Sequence, residues 1–158
     1  MSDILITMKN GDTMEAELFP EIAPLTVENF LALIDKKFFD GMVFHRIIKG
    51  FMIQGGGYDE NGNHKEADSI KGEFDSNGFP NPLKHERGVL SMARTSFPNS
   101  ASSQFFIMHQ DAPHLDGQYA AFGKITKGIE VVDKIADVKT NFVDSPLEPQ
   151  VIESIRLL

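Results

Sequence analysis

Phe44-His45-Arg46-Ile47-Ile48-Lys49-Gly50-Phe51-Met52-Ile53-Gln54-Gly55-Gly56-Gly57 carries two short apolar runs, Val43–Ile48 and Phe51–Gln54, broken by Lys49-Gly50 and stopped by three glycines. Apolar runs of about four to eight residues bounded by glycine read as strands rather than helices. Gly88–Ala93 and Gln104–Met108 repeat the pattern, set apart by Gly- and Pro-rich stretches. Upstream, residues 4–8 and 14–18 alternate apolar and polar around Asn10-Gly11, a pair suited to the positive φ values of a type I′ hairpin turn. One segment has clear helical spacing: Val27, Phe30, Leu31, Ile34 and Phe38, behind Pro24 and a Thr26 that could serve as N-cap. Glu28 near its start, Lys36 and Lys37 near its end and Gly41 beyond agree with a helix and its stop. A shorter helix is expected over 128–137, where Ile129, Val132 and Ile135 share a face. Val151–Leu157 reads as a closing strand, and residues 58–86 are polar and turn-rich. Many short strands with two helices predict a mainly β, closed or nearly closed structure capped by helices. With no repeat, low-complexity tract or linker, residues 1–158 are expected to form one domain.

Composition narrows the function. At 158 residues the chain is long enough to bury a sizeable core without covalent staples, and it has no cysteine. Disulfide and thiolate chemistry are therefore excluded, and a reducing compartment is compatible. The formal charge is −8, from 15 basic and 23 acidic residues. No basic stripe exists to displace the counterions of a nucleic acid. Met1-Ser2-Asp3-Ile4-Leu5-Ile6 enters a strand pattern directly, without a basic region and a long apolar stretch, so no signal peptide is expected. No apolar run approaches the roughly 18–20 residues of a membrane span. Cytoplasmic location is the expectation. The 13 Phe, against two Tyr and no Trp, are mostly core fillers, with a few left to line an apolar pocket.

Three segments carry more than a strand pattern. The first runs from Phe44 to Gly57. The second is Gly88-Val89-Leu90-Ser91-Met92-Ala93-Arg94, continuing through Ser103-Gln104-Phe105-Phe106-Ile107. The third is Leu115-Asp116-Gly117 followed by Phe122-Gly123-Lys124. In order and near-spacing these resemble the signature blocks of the cyclophilin family of peptidyl-prolyl cis-trans isomerases, and the resemblance runs from the opening strand to the closing one. It implies a closed eight-stranded antiparallel β-barrel capped by two α-helices, one at each end. Because side chains fill the interior of so small a barrel, the substrate groove should lie on its outer face. It also implies catalysis of rotation about X–Pro bonds in proteins, assisting their folding, without metal or cofactor.

That resemblance assigns roles residue by residue. Rotation about an X–Pro bond meets a barrier of about 18–20 kcal/mol, because the nitrogen lone pair is conjugated with the carbonyl. At the twisted transition state the conjugation is lost and the prolyl nitrogen accepts a hydrogen bond more readily. A fixed donor there stabilises the transition state over the planar ground state. Arg46 matches the catalytic arginine and Gln54 the anchor of a substrate carbonyl. Phe51, Met52, Phe106 and Leu115 match the proline pocket, with His114 and Tyr119 beside them. Ala93 and Gln104 border the neighbouring subsite, and the backbone around Arg94 and Thr95 faces the substrate chain. Met52 and Gln54, and Gln104 and Phe106, are two apart and so share a strand face, while Phe105 and Ile107 face the other way.

Other readings of the same residues are weaker. Taken alone, Arg46 is an ordinary surface arginine and Phe51, Met52 and Phe106 ordinary core. Gly55-Gly56-Gly57 lacks the following Gly-Lys-Ser/Thr of a phosphate loop, and Gly117 to Gly123-Lys124 has the wrong spacing for one. His109 and His114 are five apart with no His-Glu-x-x-His, and without cysteine a metal site is not expected. Asp111 and Asp116 could be taken as a hydrolytic pair, but Asp116 precedes Gly117 in a turn. Departures from the family pattern are informative. His114 stands where the best-known eukaryotic members carry Trp, so reduced affinity for cyclosporin-type ligands is expected. Tyr119 stands in place of a frequent histidine, and Arg94 in place of a frequent asparagine. Ser96-Phe97-Pro98-Asn99 looks one residue longer than usual, and residues 58–70 take no assigned role. The expected partners are proline-containing polypeptides, met by a monomer. The alternative function, from another class, is a proline-peptide binding module or chaperone without turnover, from which Arg46 is the discriminating residue.

Overall fold

A computed structural model describes residues 2–158; Met1, the first residue of the expected start, lies outside it. Eight strands and two helices run in the order β1 (Ser2–Met8), β2 (Thr13–Leu18), α1 (Pro24–Asp35), β3 (Arg46–Ile48), β4 (Met52–Gly55), β5 (Val89–Met92), β6 (Phe105–Met108), β7 (Ala121–Lys127), α2 (Ile129–Ala136) and β8 (Ile152–Leu157). The strands form one sheet in the order β3-β4-β6-β5-β7-β2-β1-β8, with antiparallel pairing throughout.

The expected closed barrel is corrected to a curled, open half-barrel. No ladder joins β3 to β8. The gap is spanned by an isolated bridge between Val43 and Val151 and a bond from Ile47 N–H to the Asp144 carbonyl at 2.8 Å. The physical reason is local: β3 has only three residues, and one of its edges is taken by β4, leaving too little strand to close the cylinder.

Two local expectations also change. Among residues of the first hairpin only Gly11 has positive φ, at +96°, so the turn is not type I′. Instead, Gly11 N–H donates to the Met8 carbonyl and Met8 N–H to the Asp12 carbonyl, closing a three-residue loop that ends on a left-handed glycine. Thr26 is not the N-cap, because α1 begins at Pro24 and its cap position is Ala23. The free amides of that first turn are met from a distance. Glu73, fully buried, accepts from Leu25 N–H, Thr26 N–H and the Thr26 hydroxyl at 3.2, 2.7 and 2.7 Å.

Inside the curl, Phe30 from α1 is the hub. Its ring lies 4.9 to 5.2 Å from those of Phe39, Phe122 and Phe105. Ile53, Phe105 and Ile107 point into this core, as their strand phase requires. A second, smaller apolar cluster sits on the opposite face of β4, β6 and β5, built on Met52, Val89, Phe106, Met108 and Leu115. Since β5 and β6 are buried on both faces, β6 reads as an unbroken apolar run and β5 is interrupted only by Ser91. The triple glycine is packing rather than a phosphate cradle. A Cβ on Gly55 would lie 2.5 Å from the Val43 carbonyl, and Gly56 adopts φ +90° against the Ser103 carbonyl.

Candidate active site

The second cluster is the floor of a cavity of about 360 Å³ on the outer face. Strand register builds it. Arg46 on β3 lies opposite Gln54 on β4, Gln54 opposite Phe106 on β6, and Phe106 opposite Ser91 on β5. One row across four strands therefore carries a cation, an amide, an aromatic ring and a hydroxyl. Two positions along, Met52 and Met108 face each other on the same side. Met52, Phe106 and Leu115 are 2, 5 and 8% exposed, a dry apolar floor. Ten of the twelve expected site residues line this one cavity.

Polar groups stand at its rim. Arg46 is exposed and its Nη1 donates to Gln54 Oε1 at 3.3 Å; Gln54 Nε2 in turn donates to Gln104 Oε1 at 3.0 Å. This relay points the guanidinium along the row while leaving most of its donors free. On the opposite rim Phe51 is half-buried, its ring centroid 5.8 Å from that of the exposed His114. Tyr119 stands edge-on to Phe106, with centroids 5.8 Å apart at 85°.

Gln104 and Thr95, the remaining two expected residues, line an adjoining space of about 290 Å³, with Ala93, Arg94 and Gln54 shared between the two. Thr95 N–H and hydroxyl both contact Ser100 Oγ, at 2.9 and 2.8 Å, which folds the 95–100 loop back on itself. His64, Ser100 and Ser102 also border this space. Sequence reasoning did not single them out, and nothing in their spacing marks them.

Arg94 is not free to meet a ligand's charge. Its Nε and Nη2 donate to the Gln118 carbonyl at 3.2 and 2.7 Å and Nη1 to the Thr95 carbonyl at 2.9 Å. The guanidinium carbon lies 4.7 Å from the ring centres of both Phe74 and Tyr119. It thus acts as a planar wedge that holds the Tyr119 wall.

Beneath the floor lies a chain that sequence reasoning missed apart from its turn residue. Asp116 Oδ1 accepts from His85 N–H at 2.6 Å and lies 3.1 Å from His85 Nδ1, while His85 Nε2 lies 2.8 Å from Ser91 Oγ. A carboxylate only accepts, so the imidazole proton belongs on Nδ1 and Nε2 accepts from the serine. Burial holds the His85 pKa below the ordinary imidazole value, with Asp116 opposing. Its neutral ring lies nearly parallel to Phe106, with centroids 6.0 Å apart. Ser91 and His85 are both essentially inaccessible, so this is a support and not a nucleophile.

A roomier cavity of about 430 Å³ opens behind Arg46, but Asp59 and Glu60 line it and it has no phenylalanine and methionine floor. Among the described residues no group of three or more His, Asp or Glu side chains is arranged to hold a metal ion. Nor is any described helix long and apolar enough to cross a membrane.

Arg46 thus stands beside a dry apolar floor of Met52, Phe106 and Leu115 on the outer face of the eight-stranded curl. The family model for cyclophilin-type peptidyl-prolyl cis-trans isomerases matches residues 4–157. The chain belongs to that family. It is 42% identical to a peptidyl-prolyl cis-trans isomerase of Acinetobacter baylyi, over 99% of this chain and 87% of that protein. It is also 42% identical to peptidyl-prolyl cis-trans isomerase A of Dickeya dadantii, over 98% and 84%. Among solved structures, a Cryptosporidium parvum cyclophilin-type isomerase, crystallised in the presence of the dipeptide Ala-Pro, superposes with a TM-score of 0.83 at 32% identity, covering 99% of this chain and 98% of that one.

Proposed function

We propose that this cyclophilin rotates X–Pro bonds by seating the proline ring on Met52, Phe106 and Leu115 while Arg46 donates to the prolyl nitrogen. The observation that carries the reading is the cross-strand row Arg46–Gln54–Phe106, which sets an always-charged planar donor beside an apolar floor. A twisted amide is less polar than a planar one, so the dry floor favours it and the donor strengthens as the nitrogen pyramidalises. An acceleration on the order of 10⁵ needs only about 7 kcal/mol, within reach of one directed donor plus pocket complementarity. Gln54 holds Arg46 in line through its Oε1 and keeps an amide hydrogen for a substrate carbonyl. The adjoining space by Ala93, Thr95 and Gln104 takes the residues preceding proline.

In this reading the protein acts as a monomer on proline-containing segments of other polypeptides, relieving slow isomerisation steps in their folding. Its compartment is the cytoplasm, with which a cysteine-free chain is compatible. Cyclosporin-type ligands are held weakly, because an exposed imidazole at His114 offers less surface than an indole.

The test is NMR exchange spectroscopy on an Ala-Pro-Phe-type peptide with catalytic amounts of wild type and Arg46→Ala. Arg46 is exposed, so the variant should fold, and losing one charge-developing donor should lower kcat/KM by about 10²–10³. Wild type that shifts peptide resonances without accelerating exchange would make the protein a proline-peptide binder and end the assignment of Arg46.

A further inference from the structure

We infer that His109, a residue outside the cavity, is a positioning residue that sets the Phe51 wall through a two-sided grip on the turn carrying it. The inference rests on the reading of the cavity as the proline site. Residues 48–51 form a tight turn between β3 and β4, with Phe51 N–H donating to the Ile48 carbonyl at 2.9 Å and Gly50 at φ +82°. The Phe51 ring rests against the second apolar cluster, but the exposed Lys49-Gly50 leaves the backbone of the turn with little packing of its own to hold that ring in place. His109, just past the end of β6 and 8% exposed, supplies the fixing. Its ring Nδ1 accepts from Gly50 N–H at 2.8 Å, and its backbone N–H donates to the Phe51 carbonyl at 2.8 Å.

The tautomer follows from the partners. An amide N–H can only donate, so Nδ1 is the bare nitrogen and the ring proton sits on Nε2. Nε2 lies 3.1 Å from Asp133 Oδ1 on α2, a carboxylate that favours the proton on that nitrogen. Asp133 is itself gripped by Arg87, through Nη1 at 2.5 Å and Nη2 at 2.8 Å, and Arg87 Nη1 also donates to the His109 carbonyl at 3.0 Å. Nearby, Lys49 in the same turn pairs with Asp137 at the end of α2. The orientation of the imidazole is thus determined from α2, and the imidazole passes it to the Gly50–Phe51 backbone. None of these groups lines the cavity, so none touches substrate.

The wall contacts a proline ring equally in the planar and twisted states. Loosening it should therefore raise KM and leave kcat nearly unchanged, the signature of uniform binding. Two variants separate the acceptor from the bulk of the side chain. In His109→Asn the amide oxygen falls near the position of Nδ1 and can accept from Gly50. In His109→Gln the amide falls near Nε2 and leaves Gly50 N–H unmet. The experiment measures steady-state kinetics on the Ala-Pro-Phe-type peptide, and the Gly50 amide proton by its chemical shift and hydrogen exchange. The expected result is a KM raised about three- to tenfold in His109→Gln, the range for one lost hydrogen bond. His109→Asn should stay within about twofold of wild type, with Gly50 protected there and exposed in His109→Gln. A purely structural histidine would lower the melting temperature of both variants alike and leave KM unchanged in each; that outcome overturns the inference. An active wild type whose His109→Gln variant keeps its KM defeats the inference alone, whereas a wild type without isomerase activity defeats the reading of the cavity and this inference with it.

Discussion

Acid should loosen this protein well before its paired carboxylates protonate, and His85 is the main reason. The ring is 1% exposed, and burial holds its pKa below the ordinary imidazole value. His45 is lowered too, by burial and then by the neighbouring Arg46, and its Nδ1 is buried without a partner among the described residues. A histidine with a depressed folded pKa binds its proton more readily when the chain is unfolded. Between the two pKa values the unfolded state therefore carries more protons, and stability rises with pH. The contribution is complete above about pH 6.5, the unfolded value, and is lost as pH falls towards the folded one. One such site changes the unfolding free energy by at most about 1.4 kcal/mol per pH unit, and two by about 2.7. Carboxylates act lower. Asp40 and Asp133 are held below the usual carboxylate range by Arg156 and Arg87, so their contribution is present above about pH 4 and fades beneath it. The interval from about pH 6.5 to 5 thus isolates the imidazoles. Urea unfolding at several pH values in that interval, on wild type and His85→Gln, reads the slope directly. The variant should start less stable, because Ser91 and Asp116 lose their shared partner, but should lose stability with acid about half as steeply. A flat wild-type profile, or an identical slope in the variant, would refute the assignment of a buried neutral His85.

Three further outcomes are expected. Gly55→Ala places a methyl 2.5 Å from the Val43 carbonyl, backbone that cannot swing aside, and should cost about 1–3 kcal/mol in urea unfolding; a cost near zero would mean that β4 and its neighbour are more yielding than their packing implies. Glu73→Gln keeps the shape but removes the charge that receives three donors at the head of α1, and should cost about 1–3 kcal/mol by thermal circular dichroism, with an unchanged melting curve counting against the non-local cap. Cyclosporin should bind with a micromolar or weaker dissociation constant by calorimetry, and low-nanomolar binding would show that an imidazole at His114 serves as well as an indole.

How much of this was legible in the sequence depends on which force shaped each segment. α1 was legible because one face packs on the core and the other meets water, so burial left a period in Val27, Phe30 and Ile34. β7 was not marked by periodicity. Its inward positions include Gly123, where a Cβ would approach the Glu17 carbonyl within 2.8 Å, so packing there removed the side chain that would have shown the pattern. The cap of α1 was misplaced on Thr26 because its acceptor, Glu73, is 47 residues away. The open seam between β3 and β8 depends on how far two distant segments approach, and no local pattern records that. His85 and Ser91, six residues apart, meet only because Asp116 from another loop turns the imidazole towards β5.

The site itself shows the same logic at the level of one residue. Along β6, Phe105 and Ile107 fill the core while Phe106 forms the floor of the cavity, and along β4 Ile53 points inward while Met52 and Gln54 point out. Because side chains alternate strictly, a slip of one residue in either strand would exchange these sets. It would bury Gln54 unpaired and carry Phe106 away from Arg46. The apolar inner face therefore enforces the register that brings Arg46 and the apolar floor together, so the core of the half-barrel fixes which side chains face outward. Both faces being apolar also explains why alternation alone could not assign the residues of this strand: Phe105-Phe106-Ile107-Met108 is uniformly buried, and only the order of the surrounding blocks distinguished the ring that lines the cavity from the ring that lines the core.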